Sequence, residues 1–235
     1  MAGEMINTFD TNVPKFVTKN GDNILFPFSP PIFQSLVDDN FIKDLISVGR
    51  KNQIDFRNNL AGNMKSGTSL HYEYDEFFDK AQNYLLKFVH RFVTGLNEKF
   101  GNDVLTRPLI TKQYMRQKNY DETHCFLDSL WINFQQKNDF NPPHTHNGDL
   151  SFVIYCKVED KIFKEQAISN TQQAGNIVFS HGESMTLTGT EFPVQPNENL
   201  IFIFPAKLKH FVPPYWIDSE RITVSGNFVF RGVNK

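Results

Sequence analysis

The chain has 235 residues, 40% of them hydrophobic and 21% charged, enough apolar material to bury a core rather than stay disordered. Lys and Arg total 24 against 26 Asp and Glu, a formal net charge of −2 that argues against a dedicated nucleic-acid binder. No apolar run approaches the ~18–20 residues of a membrane span. Residues 1–25 lack the basic-then-apolar layout of a secretory leader, so a cytoplasmic protein is expected.

Residues 30–49, entered through Ser29-Pro30-Pro31, carry Phe33, Leu36, Val37, Phe41, Ile42 and Leu45 at helical spacing and predict a first helix. Residues 74–100 predict a second. There Phe77, Phe78, Ala81, Leu85, Phe88, Val89, Phe92, Val93 and Leu96 form one apolar stripe, and Gly101 follows as a stop. A stripe this wide is expected to pack on the protein's own sheet. From residue 105 the pattern changes to short strands, expected at 123–134, 150–158, 161–168, 176–180, 184–190, 199–204 and 220–231. Turn signals separate them at Asn141-Pro142-Pro143, Asn147-Gly148, Gly175-Asn176, Pro196-Asn197 and Pro213-Pro214. The expectation is an α+β, mainly β chain of one domain: residues 1–104 a mostly helical support, residues 105–235 a β-rich barrel or sandwich. Cys125 and Cys156 fall in strands and read as buried reduced thiols. The 24 Phe residues suit a dry core and carry no function by themselves.

Three histidines stand where chemistry is done. His144 and His146 sit two apart, immediately before the strand that opens at Leu150. In an extended segment residues i and i+2 point to the same side, so two imidazoles converge on one ion or on each other. His210 follows the apolar strand Leu200–Phe204 after the turn Pro205-Ala206-Lys207-Leu208-Lys209. A strand-borne pair with a remote third ligand gives one face of a metal three protein donors and leaves positions open. Arg221 opens the last long strand. On an inner strand of an apolar barrel it is costly unless it meets an anion, and its planar fork matches a ligand carboxylate.

Over roughly residues 123–231 the chain resembles the Fe(II)- and 2-oxoglutarate-dependent oxygenases, in particular the prolyl-hydroxylase-like branch with its phage and marine bacterial members. The resemblance rests on Trp131-Ile132-Asn133, on Asn141 through Tyr155, and on Ile203-Phe204-Pro205 through His210 to Arg221-Ile222-Thr223-Val224-Ser225. It implies a double-stranded β-helix (a jelly-roll, cupin-like barrel) with the two N-terminal helices packed on one sheet. It implies that His144 and His210 ligate Fe(II) and that Arg221 binds the C5 carboxylate of 2-oxoglutarate. Tyr155, Thr223, Ser225 and Asn133 would line the same cosubstrate site. The family's His-x-Asp/Glu motif here reads His-x-His, so the third ligand is either His146 or Asp149, with strand geometry favouring His146.

The activity implied is hydroxylation of an unactivated C–H bond, 2-oxoglutarate being decarboxylated to succinate and CO2. The partners implied are 2-oxoglutarate, O2 and a substrate that is a peptide or a small molecule, with peptidyl proline suggested by the branch; no nucleic acid and no membrane are expected, and a homo-oligomer is left open. A phage-encoded member would work in the host cytoplasm. Pro213, Pro214, Tyr215 and Trp216 are candidates to line a substrate mouth. Two alternatives stay open: a three-histidine cupin-like dioxygenase that does not use 2-oxoglutarate, and a non-catalytic jelly-roll binding or structural module. His124, next to Cys125, has no Cys-x-x-Cys to support a zinc site, and His71, His90 and His181 read as surface or helix-face residues.

Overall fold

The computed structural model describes residues 15–27, 30–51, 61–62, 69–71, 76–100, 125–164, 173–184, 186 and 189–230. Its strands are, in chain order, Lys15–Val17 (β1), Asn23–Leu25 (β2), Ile32–Leu36 (β3), Ser69–His71 (β4), Cys125–Gln135 (β5), Asn141–His144 (β6), Leu150–Lys157 (β7), Ile177–Ser180 (β8), Glu191–Val194 (β9), Leu200–Pro205 (β10), Lys209–Val212 (β11) and Arg221–Phe230 (β12). The helices are Asp39–Lys51 (α1), Glu76–Phe100 (α2) and a single turn at Lys161–Lys164 (α3).

An eight-stranded sheet runs β1-β2-β3-β10-β7-β12-β5-β4, and a four-stranded one runs β6-β11-β8-β9; all pairings are antiparallel. From β5 to β12 the chain moves between the sheets strand by strand, except at the β8–β9 hairpin. That winding is a double-stranded β-helix, the jelly-roll solution to open sheet edges.

Strand β7 is buried along almost its whole length because both its faces are covered. Phe152, Ile154 and Cys156 pack outward with Leu45 of α1 and Leu85, Phe88 and Phe92 of α2. Val153 and Tyr155 pack inward with Phe179, Val194, Phe202 and Phe204, between the sheets. Each fully buried Phe or Leu contributes roughly 1.5–3 kcal/mol, so α2 is held by its apolar face more than by its propensity.

The stripe at 74–100 is helix α2 as its spacing indicates, within the described part that begins at Glu76. The helix expected over 30–49 is corrected in its first half. Ile32–Leu36 is strand β3, laid between β2 and β10 with Phe33 opposite Ile203. Phe33 and Leu36 satisfy helical spacing by accident, and pairing with a buried strand overrides it. The helix starts only after Asp38, a favourable cap, whose carboxylate accepts a hydrogen bond from Tyr84 Oη of α2 at 2.7 Å. With β1 to β4, the part of the chain before β5 supplies half the described strands of the large sheet as well as its helical cover.

Two other expected strands are corrected. In 161–168 the described part, Lys161–Lys164, is the turn α3, which buries Ile162 against Ala174 and Tyr215; residues 165–168 lie outside the described residues. In 184–190 the described residues form no strand, and β9 begins at Glu191, where it pairs with β8. Residues 123–124, His124 among them, and Gly101 lie outside the described residues. Conversely, Asn141-Pro142-Pro143 is no break but most of β6. That strand lies at the edge of its sheet, where a residue without an N–H is tolerated. No helix among the described residues is long and apolar enough to cross a membrane.

Candidate metal centre and anion pocket

His144 ends β6 and lies directly opposite His210 on β11. The His146 main-chain N–H donates to Ala206 O at 2.9 Å, which folds its ring back toward the other two. One ring nitrogen from each of the three falls within 4.8 Å of the others, and no Asp, Glu or Cys among the described residues joins the group. His144 and His210 ring centroids are 4.4 Å apart, and His146 stacks on His210 at 5.0 Å.

The second nitrogens define the tautomers. His144 Nδ1–H donates to Pro142 O at 2.7 Å, and His210 Nδ1–H to Leu208 O at 2.9 Å. Each Nε2 therefore carries a free lone pair, the state a metal requires. Burial keeps the cluster neutral. It lowers His144, takes His146 down to about 4 with help from His144 and Lys207, and takes His210 down to about 3 with help from His144 and His146. Phe204 and Phe179 pack against the His210 ring and keep it dry.

Asp149 does not enter the cluster. Its Oδ2 accepts a hydrogen bond from the Phe230 main-chain N–H at 2.8 Å, and its own N–H donates to Phe228 O, so it ties β12 to the start of β7.

Arg221, Thr223 and Ser225 project from one face of β12. Register sets Arg221 opposite Gln135, and Thr223 between Asn133 on β5 and Tyr155 on β7. Directly opposed residues of an antiparallel pair share a face, so all of these point between the sheets. Trp131, two residues before Asn133, contacts His146 with ring centroids 5.7 Å apart and links this row to the histidines. Ser225 is half-buried farther along the same face.

Arg221 is only 2% exposed. Its Nη1 donates to Gln135 Oε1, and its guanidinium lies over the Tyr155 ring at 5.2 Å. No carboxylate pairs with it among the described residues, and its Nε has no hydrogen-bond partner. Asn133 Oδ1, Gln135 Nε2 and Tyr155 Oη, whose electrostatic neighbour is Arg221, are buried and likewise make no hydrogen bond of good geometry among the described residues. Burial raises the Tyr155 phenol to about 12, against the pull of Arg221. A buried cation among unpaired polar atoms fits an anionic ligand with several acceptor oxygens, since native interiors leave few such groups orphaned. The donor set of the histidine cluster fits a divalent metal of intermediate softness, and together the two groups of side chains suit a metal and a carboxylate ligand.

Gln135 was not among the residues singled out in the sequence. Its signal was its place two residues beyond Asn133 and four beyond Trp131, on the same strand face. Tyr215 is not a mouth residue: it is 1% exposed, and its single hydroxyl proton is shared between Gln135 O at 2.8 Å and Ser219 O at 3.0 Å. Trp216 is 43% exposed.

Residues 129–227 match the model of the family described as "Putative 2OG-Fe(II) oxygenase". The likeness to the Fe(II)- and 2-oxoglutarate-dependent oxygenases is thereby shown over the stretch from β5 to β12. The family's members are oxidoreductases, and its cofactors are Fe(II) and 2-oxoglutarate. Similar solved structures include a Pseudomonas putida prolyl-4-hydroxylase, 14% identical over 86% of this chain and 93% of that one, with a TM-score of 0.47. A prolyl hydroxylase from Trichoplax adhaerens, in complex with a hypoxia inducible factor peptide fragment, is 13% identical over 84% of this chain and 83% of that one, TM-score 0.45. HygX from Streptomyces hygroscopicus, with nickel and 2-oxoglutarate bound, is 8% identical over 84% and 82%, TM-score 0.47. No curated protein sequence matches the chain.

Proposed function

We propose that the chain works as one domain, that His144, His146 and His210 hold Fe(II), and that Arg221 receives the C5 carboxylate of 2-oxoglutarate, for hydroxylation of an unactivated C–H bond. The observation that carries this is the buried Arg221 guanidinium, without a carboxylate partner among the described residues, on the inner sheet face that also contacts the neutral histidine cluster.

When bound, the metal and cosubstrate supply the family's chemistry: O2 is consumed, 2-oxoglutarate leaves as succinate and CO2, and a substrate C–H becomes C–OH. The chain's own part is positioning and exclusion of water. Pro142 O and Leu208 O hold the His144 and His210 rings so that their Nε2 lone pairs are presented to the ion. Arg221 anchors the distal carboxylate by a charge-assisted pair, and the un-ionised Tyr155 hydroxyl donates to it. Asn133 and Thr223, joined to each other at 3.4 Å, complete the wall, and Ser225 lies one step beyond. Phe179 and Phe204 shield the metal side.

The three neutral ligands give the ion no compensating charge from the protein, so the dianionic cosubstrate binds a more positive centre than a His-x-Asp site offers. Peptidyl proline is the substrate class we propose to try first, because the sequence resembles the prolyl-hydroxylase-like branch. The test is succinate production from 2-oxoglutarate with Fe(II) and a panel of proline-containing peptides. Turnover that disappears in His210→Ala supports the reading; no turnover by the wild type with any of them removes the proline assignment.

A further inference from the structure

Gln135 closes β5 opposite Arg221 and is 1% exposed. A guanidinium has donors only, so the amide end facing Arg221 Nη1 is the oxygen. Among the described residues the Gln135 Nε2 then has no hydrogen-bond partner, and neither has the Arg221 Nε. Below them the Gln135 main-chain oxygen is held by Tyr215 Oη at 2.8 Å, so this strand end is anchored. Two adjacent buried groups thus each keep a donor in reserve. A carboxylate, which only accepts and has two oxygens, satisfies both.

We infer that Gln135 is a positioning and binding residue for the anionic ligand: its Oε1 orients Arg221 without cancelling the positive charge, and its Nε2 donates to the same carboxylate. The inference rests on the proposed function, in which that carboxylate belongs to 2-oxoglutarate. Its consequence is specific to the amide. Glutamate has the same shape, but it would pair with Arg221 from within the chain and fill the role reserved for the ligand. Stability and binding should then move in opposite directions, which a merely structural glutamine does not predict.

The experiment compares wild type, Gln135→Glu and Gln135→Met as full-length chains. It measures thermal unfolding of the metal-free protein, Mn(II) affinity, and calorimetric binding of 2-oxoglutarate to the Mn(II)-loaded protein. Gln135→Glu is expected to raise the unfolding temperature by several degrees and to weaken 2-oxoglutarate by about 100-fold or more, with Mn(II) affinity unchanged. Gln135→Met should weaken 2-oxoglutarate by roughly tenfold, the loss of one hydrogen bond to a charged group. A variant of either kind that binds 2-oxoglutarate as the wild type does overturns the inference, as does a lower unfolding temperature in Gln135→Glu. A wild type that binds Mn(II) but no 2-oxoglutarate contradicts the proposed function itself.

Discussion

The Nε2 atoms of His146 and His210 lie 3.1 Å apart. His210 donates through Nδ1 to Leu208 O, so its Nε2 is a bare acceptor aimed at a second imidazole. A neutral His146 meets that acceptor with an Nε2–H, and a cation can take that proton's place between the rings. A divalent ion is therefore expected to raise the unfolding temperature of the metal-free protein. At 100 times its Kd it adds about 2.7 kcal/mol, by preferential binding to the folded state. Thermal shift with Mn(II) reads this directly, and His210→Ala should abolish the shift.

His146 and Asp149 are separable. Asp149→Ala should leave Mn(II) affinity unchanged while lowering stability by about 1 kcal/mol, because it removes the acceptor of the Phe230 N–H. His146→Ala should lose tight metal binding, and His146→Asp should retain it by restoring a ligand of the carboxylate type. Equilibrium dialysis and urea denaturation of the three variants decide the assignment. Metal loss in Asp149→Ala with retention in His146→Ala would reverse it.

Acid should weaken the metal-free fold. His146 and His210 have folded-state values of about 4 and about 3, below the ordinary value near 6.5 that the unfolded chain keeps. Above pH 6.5 both states are neutral at these positions and the rings contribute no pH dependence. Below it the unfolded chain takes up protons first, so stability falls with pH down to about 3. The urea midpoint should drop between pH 7.5 and 5, and drop less in His210→Gln.

Arg221→Met should separate stability from binding. Removing a buried charge that has no carboxylate partner among the described residues relieves desolvation, so the metal-free variant is expected to be as stable as the wild type or more so. The same change should weaken 2-oxoglutarate by about 100-fold or more while Mn(II) still binds. Unfolding curves and calorimetry on one preparation test both halves.

The parts of this molecule that were legible in sequence are those where one local pattern had one meaning. The apolar runs at β7 and β10 are buried on both faces, and among the described residues no strand pairs with the stripe of α2. The short turn between β10 and β11 brought His210 out at a readable distance from its strand. Where the fold was misread, a long-range partner decided. β3 carries helical spacing yet pairs with β10, and β6 contains two prolines yet survives at a sheet edge. The His-x-His pair and Arg221 stood out by residue type. Gln135 did not, because its meaning lies in its register with Arg221, 86 positions away.

The most direct test of the account is anaerobic. Fe(II) and then 2-oxoglutarate are added to the metal-free protein, and the visible metal-to-ligand charge-transfer band produced in this family by 2-oxo acid chelation is recorded. The account predicts a band in the wild type, none in His210→Ala and a weakened one in Arg221→Met. Fe(II) binding without a band would contradict it and favour a three-histidine dioxygenase that does not use 2-oxoglutarate; no Fe(II) binding would mean that the histidine cluster is not a metal site.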